Sequence, residues 1–340
     1  QLNPYIIAEI GVNHEGSINL AKKLVRLASD GGANAVKFQS YKAETLASKH
    51  SPAYWDLSEE PTKSQFELFK KFDFFNNNDY LALANYCKTL NIDFLSTPFD
   101  LKVADFLSDL VPAYKIASAD ITNYPLLRKC ASYNKPIILS VGASSLVEIK
   151  NAVSLIESCN NGKIIILHCV LNYPTALDKA NLNSIKILQQ NFKDYYIGYS
   201  DHVPPQSNRL AAMEMATILG AVVLEKHFTH NKNLQGNDHY HAMNENDLRN
   251  MLSGLNKAKS LIGENDKKKP INSEKISIKN ARRSIVLKRD IKKGEVINKK
   301  DIIPKRPGHG ISPIFWDDII GRRVKKNLKS DQILKWNDLV

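Results

Sequence analysis

The sequence predicts a (β/α)8 TIM barrel followed by a small second domain. Two observations predict it. Eight short runs rich in β-branched residues alternate with amphipathic stretches between residues 5 and 261, and polar residues gather at the carboxyl end of one run after another. A doubly wound sheet is the competing class. The first turn argues against it, because Gly11-Val12-Asn13-His14-Glu15-Gly16 lacks the GxGxxG phosphate fingerprint.

The first run, 5–9, ends at Glu9, and the second, 35–39, carries Lys37 and Gln39. A long interruption, 41–78, follows with Trp55 and a helical frame at 63–72; at the active-site face such a loop reads as a lid or substrate wall, with a dimer contact as the other reading. The third run, 93–97, ends at Thr97. The fourth, 113–116, holds Lys115 inside an apolar frame and leads to Ser118 and Asp120, and the fifth, 136–140, ends at Ser140. The sixth is 164–169. The seventh, 196–200, ends in Ser200-Asp201-His202 and the eighth, 222–227, in Glu225-Lys226-His227, with Asp238 and His239 on the loop beyond. Helical spacing fills 20–30, 79–90, 146–159, 183–191 and 207–219.

After residue 262 the composition changes. Residues 263–280, with Lys267-Lys268-Lys269-Pro270, read as a linker, and 281–340 as a separate small domain of short strands at 283–287, 290–297, 301–304 and 333–334. Its glycine-rich loop, Arg306-Pro307-Gly308-His309-Gly310-Ile311, shows no partner for Arg306.

The chain has 340 residues, 43% hydrophobic and 24% charged, enough for a sizeable core. No run approaches the roughly 18 apolar residues of a membrane span, and the start lacks a signal peptide's charged and apolar regions, so a soluble cytoplasmic protein is expected. Cys87, Cys130, Cys159 and Cys169 show no CxxC spacing and read as buried free thiols. The net charge of +12 is spread along the chain without aromatic interleaving; it reads as a solvated basic surface that draws in anionic substrates, with no nucleic-acid or membrane partner.

Neighbouring strand ends lie side by side at the carboxyl face of a barrel, so His202 and His227 could share one metal ion. Lys37 and Lys115 among Thr97, Ser118, Ser140 and Ser200 suit a small molecule bearing a phosphate and a carboxylate. Lys115 needs an anionic partner, with a Schiff-base role as the rival. Glu9 and Glu225 are candidate acid/base or hydroxyl-binding carboxylates, structural ion pairs being equally open.

Together these motifs resemble the sialic acid synthase family, the N-acylneuraminate synthases with their legionaminic and pseudaminic acid relatives. The resemblance runs through Ala8-Glu9-Ile10-Gly11-Val12-Asn13-His14, Lys37-Phe38-Gln39, Leu95-Ser96-Thr97-Pro98-Phe99, Tyr114-Lys115-Ile116-Ala117-Ser118, Tyr173-Pro174-Thr175, Ser200-Asp201-His202, Glu225-Lys226-His227-Phe228 and Lys305-Arg306-Pro307-Gly308, in the family's order. It implies an antifreeze-like (SAF, β-clip type) domain at 281–340. It further implies condensation of phosphoenolpyruvate with an N-acetylated mannosamine-type sugar to a nine-carbon 2-keto acid and phosphate, the product being N-acetylneuraminate or a legionaminic-type acid. A pseudaminic acid synthase using an altrose-type diacetamido sugar is the alternative. By the same correspondence His202 and His227 hold a divalent ion, Mn2+ first with Mg2+ or Co2+ as alternatives. Lys37, Thr97, Lys115, Ser118, Ser140 and Ser200 hold phosphoenolpyruvate. Gln39, Tyr173, Glu225 and Asp238 hold the sugar, Glu9 positions water or a hydroxyl, and Arg306 reaches the partner's site in a domain-swapped homodimer. Lys37-Phe38-Gln39-Ser40-Tyr41 departs from the Lys-His-Gln-Thr-His of N-acetylneuraminate synthases toward relatives that use deoxy sugars.

Two other classes fit less of the chain. A metal-dependent barrel hydrolase calls for a His-x-His on the first strand, where Glu9 stands. A non-catalytic saccharide-binding protein has no use for Lys115 or the histidine pair.

Overall fold

A computed structural model describes residues 2–55, 57–58, 60–159, 162–207, 209–236, 238–263 and 267–340. Chain contacts divide it into two compact units, 1–263 and 264–340.

In the first unit eight parallel strands form one sheet: β1 (Tyr5–Gly11), β2 (Ala35–Ser40), β3 (Asp93–Pro98), β4 (Tyr114–Ile116), β5 (Ile137–Ser140), β6 (Ile164–Cys169), β7 (Tyr196–Asp201) and β8 (Val223–His227). Strands β1 to β3 and β4 to β8 pair in chain order, β8 returns to β1, and β3 packs beside β4, so the sheet closes into a barrel. Helices Ile18–Gly31, Asn77–Thr89, Leu101–Leu107, Tyr124–Ala131, Leu146–Cys159, Asn183–Asn191, Ala211–Ile218 and Glu245–Ile262 lie between and after the strands. The first shows how local sequence sets the ends: the Ser17 hydroxyl accepts from the Leu20 amide, and Gly32 stops the helix in the left-handed region. It buries Ala21, Leu24, Val25 and Ala28 in the layer between helices and strands.

Strand alternation builds the barrel interior. Ile7, Ala35, Leu95, Ile138, Leu167 and Val223 form one apolar cluster, separate from the strand–helix core. This is the floor. Two strands leave room in it: β4 contributes Lys115, level with Ile138, and β7 contributes Gly198, level with Leu167. A Cβ on Gly198 would lie 2.4 Å from both the Leu167 side chain and the Val223 carbonyl oxygen, so glycine is required for the floor to close.

Several expected bounds shift. The helix expected over 207–219 starts at Ala211, after Pro204-Pro205 and a backbone bridge between Gln206 and Arg209. The frame expected at 63–72 becomes Gln65–Phe72, capped by the Ser64 hydroxyl. The expected linker is partly ordered: Asn272–Glu274 forms a 3-10 turn that runs into helix Lys275–Ala281, while 264–266 lie outside the described residues. All four cysteines are free thiols, and Cys159 is half-buried where a buried one was expected.

The second unit has its own core, including Ile285, Leu287, Ile302, Val324, Leu328 and Leu334. Strand β9 (Ser284–Leu287) pairs antiparallel with β10 (Ile302–Lys305). The segments expected as strands at 290–297 and 333–334 contribute only isolated bridges, Ile291 to Leu328, Val296 to Arg323 and Val286 to Ile333. Among the described residues no helix is long and apolar enough to cross a membrane.

Candidate active site

Two residues above each floor position the alternation presents a second inward side chain. Ile7 is followed by Glu9, Ala35 by Lys37, Leu95 by Thr97, Ile138 by Ser140, Leu167 by Cys169, Gly198 by Ser200 and Val223 by Glu225. One further step gives Gln39, His202 and His227. The strands thereby place a polar layer on an apolar floor, with an imidazole layer toward the mouth. These side chains line one pocket.

The polar layer is charged and nearly self-balanced. Lys37 contacts the Glu9 carboxylate, donates to Thr97 Oγ1 at 3.1 Å and lies 3.9 Å from Glu225. Lys115 Nζ lies 3.5 Å from Glu225 Oε1 and donates to the Ile116 carbonyl oxygen at 3.2 Å. Ser200 donates to Glu225 Oε1 at 3.0 Å, and Gln39 Nε2 donates to Glu9 Oε1 at 3.1 Å. Gly11 makes room for this convergence at a register shift between β1 and β2. A Cβ there would come within 2.9 Å of Glu9 Oε1, and the backbone sits in the left-handed region.

Burial and charge act against each other on these groups. Burial raises the Glu9 carboxyl, an effect Lys37 opposes without cancelling. For Glu225 burial also pushes upward, but Lys115 and Lys37 outweigh it and hold the carboxyl below its usual value. Burial pulls Lys37 down, and Glu225 with Glu9 more than restores it; for Lys115 burial prevails and its pKa is lowered. Ser140 Oγ is buried without a hydrogen-bond partner. Ser118 Oγ accepts from the Gly142 amide at 2.9 Å and also meets the Cys169 thiol.

Above this layer stand the imidazoles. His202 Nδ1 donates to the Val170 carbonyl oxygen at 3.0 Å, which fixes the tautomer and leaves the Nε2 lone pair free to ligate. The His202 and His227 ring centroids are 5.5 Å apart, and His227 Nδ1 is 3.3 Å from Asp238 Oδ2. Burial lowers His202 to about 4 and drives His227 well down, so both are neutral, as ligands must be. Burial, then the Glu9 carboxylate, raises Asp238 to about 7. The Tyr173 ring packs 4.1 Å from that of His202. The long insertion after β2 supplies one wall, with Tyr54, Trp55, Phe69 and Phe72 lining the pocket.

Every residue to which the resemblance gives a role thus lines this one pocket, except Arg306, which is exposed in the second unit, while Asp120, Asp201 and His239 do not line it. Asp201 faces the other way. Its carboxylate takes hydrogen bonds from Lys226 Nζ at 2.7 Å, Tyr199 OH at 2.8 Å and the Val203 amide at 3.0 Å, clamping the ends of β7 and β8. His239 also points away, with Nδ1 2.8 Å from Thr229 Oγ1. Sequence reasoning missed His241, which is buried against His227 with ring centroids 4.9 Å apart. The His239-Tyr240-His241 pattern was the available signal. Among the described residues, His227, Asp238 and His241 are the three whose candidate ligand atoms lie within 4.8 Å of one another.

Residues 24–267 match the model of the NeuB family, and 282–340 that of the SAF domain. The N,N'-diacetyllegionaminic acid synthase of Campylobacter jejuni is 39% identical over 97% of this chain and 98% of its own length. The pseudaminic acid synthase of Helicobacter pylori is 33% identical over 99% of this chain and 98% of its own. The crystal structure of an N-acetylneuraminic acid synthetase from Leptospira borgpetersenii, in complex with citrate, matches with a TM-score of 0.71 at 33% identity. It covers 81% of this chain and 90% of that one.

Proposed function

The chain belongs to the NeuB family, and on that premise we propose that it condenses phosphoenolpyruvate with an N-acetylated mannosamine-type sugar to a nine-carbon 2-keto acid and phosphate. Its relatives are enzymes that make sialic-type acids. The observation that carries the reading is the layer of two lysines, two carboxylates and several hydroxyls on a closed apolar floor, with Ser140 Oγ unbonded.

In this reading Lys37 and Lys115, with Thr97, Ser118, Ser140 and Ser200, receive the phosphate and carboxylate of phosphoenolpyruvate. The buried ammonium groups offset part of its charge where water is excluded. Glu225 holds both lysines within reach of that anion. Gln39, Tyr173, Glu225 and Asp238 take the hydroxyl and N-acetyl groups of the open-chain sugar. The sugar's aldehyde carbon is then presented to C3 of phosphoenolpyruvate. The new C–C bond forms as the aldehyde oxygen gains a proton and becomes a hydroxyl, and C2 is left electron-poor. Glu9, held by Lys37 and Gln39, positions the water that adds at C2. Breaking the C2–O bond to phosphate then leaves the 2-keto acid.

The donor set suits a divalent ion, since His202 presents a free lone pair and His227 has a buried Nδ1 without a hydrogen-bond partner. His202 and His227 would hold it, Mn2+ first with Mg2+ or Co2+ as alternatives, and it would polarise the sugar aldehyde as a Lewis acid. The product is N-acetylneuraminate or a legionaminic-type acid, with an altrose-type substrate as the alternative, and Lys37-Phe38-Gln39-Ser40-Tyr41 leans toward a deoxy sugar. Arg306 is assigned to the sugar site of a partner in a homodimer, and the enzyme to the cytoplasm.

Phosphate release tests the proposal. The protein with Mn2+ and phosphoenolpyruvate is offered N-acetylmannosamine, 2,4-diacetamido-2,4,6-trideoxymannose or the altrose isomer in separate reactions. Release that requires one of these sugars is expected, and its absence with all three overturns the reading.

A further inference from the structure

His241 has no place in the scheme above, yet its surroundings are unusual. The ring has 0% relative exposure and neither nitrogen has a hydrogen-bond partner, although burial normally obliges an imidazole to satisfy both. Its neighbours are the groups that could share an ion. Its centroid is 4.9 Å from that of His227 and 6.0 Å from that of His202, and Nε2 is 4.0 Å from Asp238 Oδ1. One ligand atom from each of His227, Asp238 and His241 falls within 4.8 Å of the others. Ligand atoms bound near 2.1 Å to a common ion are separated by at most about 4.2 Å, so small side-chain rotations close the set.

We propose that His241 is a further metal ligand, so that the ion is held by His241 as well as by His227 and His202, while Asp238 stays with the sugar. This rests on the reading of the site as a metal centre and goes beyond it in ligand number and in selectivity. A site of two imidazoles completed by water accepts oxygen-preferring ions readily. Three imidazoles form a nitrogen-rich set that selects Co2+, Zn2+ or Fe2+ over Mg2+. The added ligand also leaves fewer positions for water.

The test uses the full chain, stripped with a chelator and titrated with Co2+ alone, followed by calorimetry and by the visible absorption of bound cobalt; no substrate is present. Wild type is expected to bind one Co2+ that millimolar Mg2+ does not displace. His241→Phe, which keeps an aromatic ring without a donor, and His241→Ala are each expected to weaken Co2+ binding by at least about 100-fold and to change the cobalt spectrum. Metal-free His241→Phe should melt no lower than metal-free wild type, because no hydrogen bond is lost. If both His241 variants bind Co2+ with wild-type affinity and spectrum while His227→Ala does not, His241 is no ligand and the metal centre stands without it. If wild type binds neither Co2+, Zn2+ nor Mn2+, the metal centre itself falls.

Discussion

Lys115→Met isolates the charge that the polar layer is built around. Methionine is also unbranched, so the barrel floor beside Ile138 stays filled while the ammonium group disappears. In the wild type that ammonium lies 3.5 Å from Glu225 Oε1, nearer than Lys37 at 3.9 Å. A hydrogen bond to a charged partner contributes about 1.5–3 kcal/mol, which at a factor of ten per 1.4 kcal/mol is about 10- to 150-fold. That is the expected fall in kcat/KM for phosphoenolpyruvate, with the KM for sugar little changed. Glu225 loses the first of the two lysines that hold its carboxyl low, so the acid limb of the pH profile should move to higher pH. The assay is the initial rate of phosphate release with phosphoenolpyruvate varied at saturating sugar, from pH 5 to 9. Unchanged kinetics for phosphoenolpyruvate would refute the assignment. A borohydride-trapped adduct at Lys115 would instead give that residue a covalent role.

Three further outcomes are expected. Asp201→Asn leaves the buried Lys226 ammonium without its counter-ion, and the loss of about 3–5 kcal/mol should appear as a lower urea midpoint; an unchanged midpoint would show that the β7–β8 clamp carries no stability. His14 is buried, which lowers it to about 4 in the fold against 6.5 for a free imidazole side chain. The folded state therefore binds its proton less well, and the support it lends is full above pH 6.5 and withdrawn as pH falls toward 4, on the order of 3 kcal/mol. His14→Phe should flatten that part of the acid dependence of the urea midpoint, and an equally steep dependence would contradict it. Arg306→Ala should raise the KM for sugar more than that for phosphoenolpyruvate, and equal increases in steady-state kinetics would remove Arg306 from the sugar site.

The barrel was legible because parallel strands buried on both faces read as apolar runs, and the helices between them keep a 3.6-residue period. The polar layer was legible for a related reason: Lys37, Lys115 and Glu225 are too costly to bury without purpose, so their presence inside apolar runs is itself a signal. What the sequence hides is direction. Asp201 adjoins His202 and reads as a companion of the imidazole, but strand alternation turns it outward to Lys226. Asp238-His239-Tyr240-His241 lies on a loop, where no period says which side chain faces the site; His239 turns to Thr229, and His241 packs against His227. The second unit was harder for a different reason. Its expected strands at 290–297 and 333–334 hold by isolated bridges around an isoleucine-rich core, so composition suggests β-structure that the backbone barely forms.

The closed floor of Ile7, Ala35, Leu95, Ile138, Leu167 and Val223 makes the pocket a blind shaft with traffic through one end. Whatever sits on the lysines must enter before whatever sits beside His202 and His227, and must leave after it. On the function proposed above, catalysis in such a shaft is expected to follow a compulsory order. An unreactive sugar analogue then gives parallel reciprocal plots against phosphoenolpyruvate, and inorganic phosphate, last out, competes with phosphoenolpyruvate for the empty enzyme.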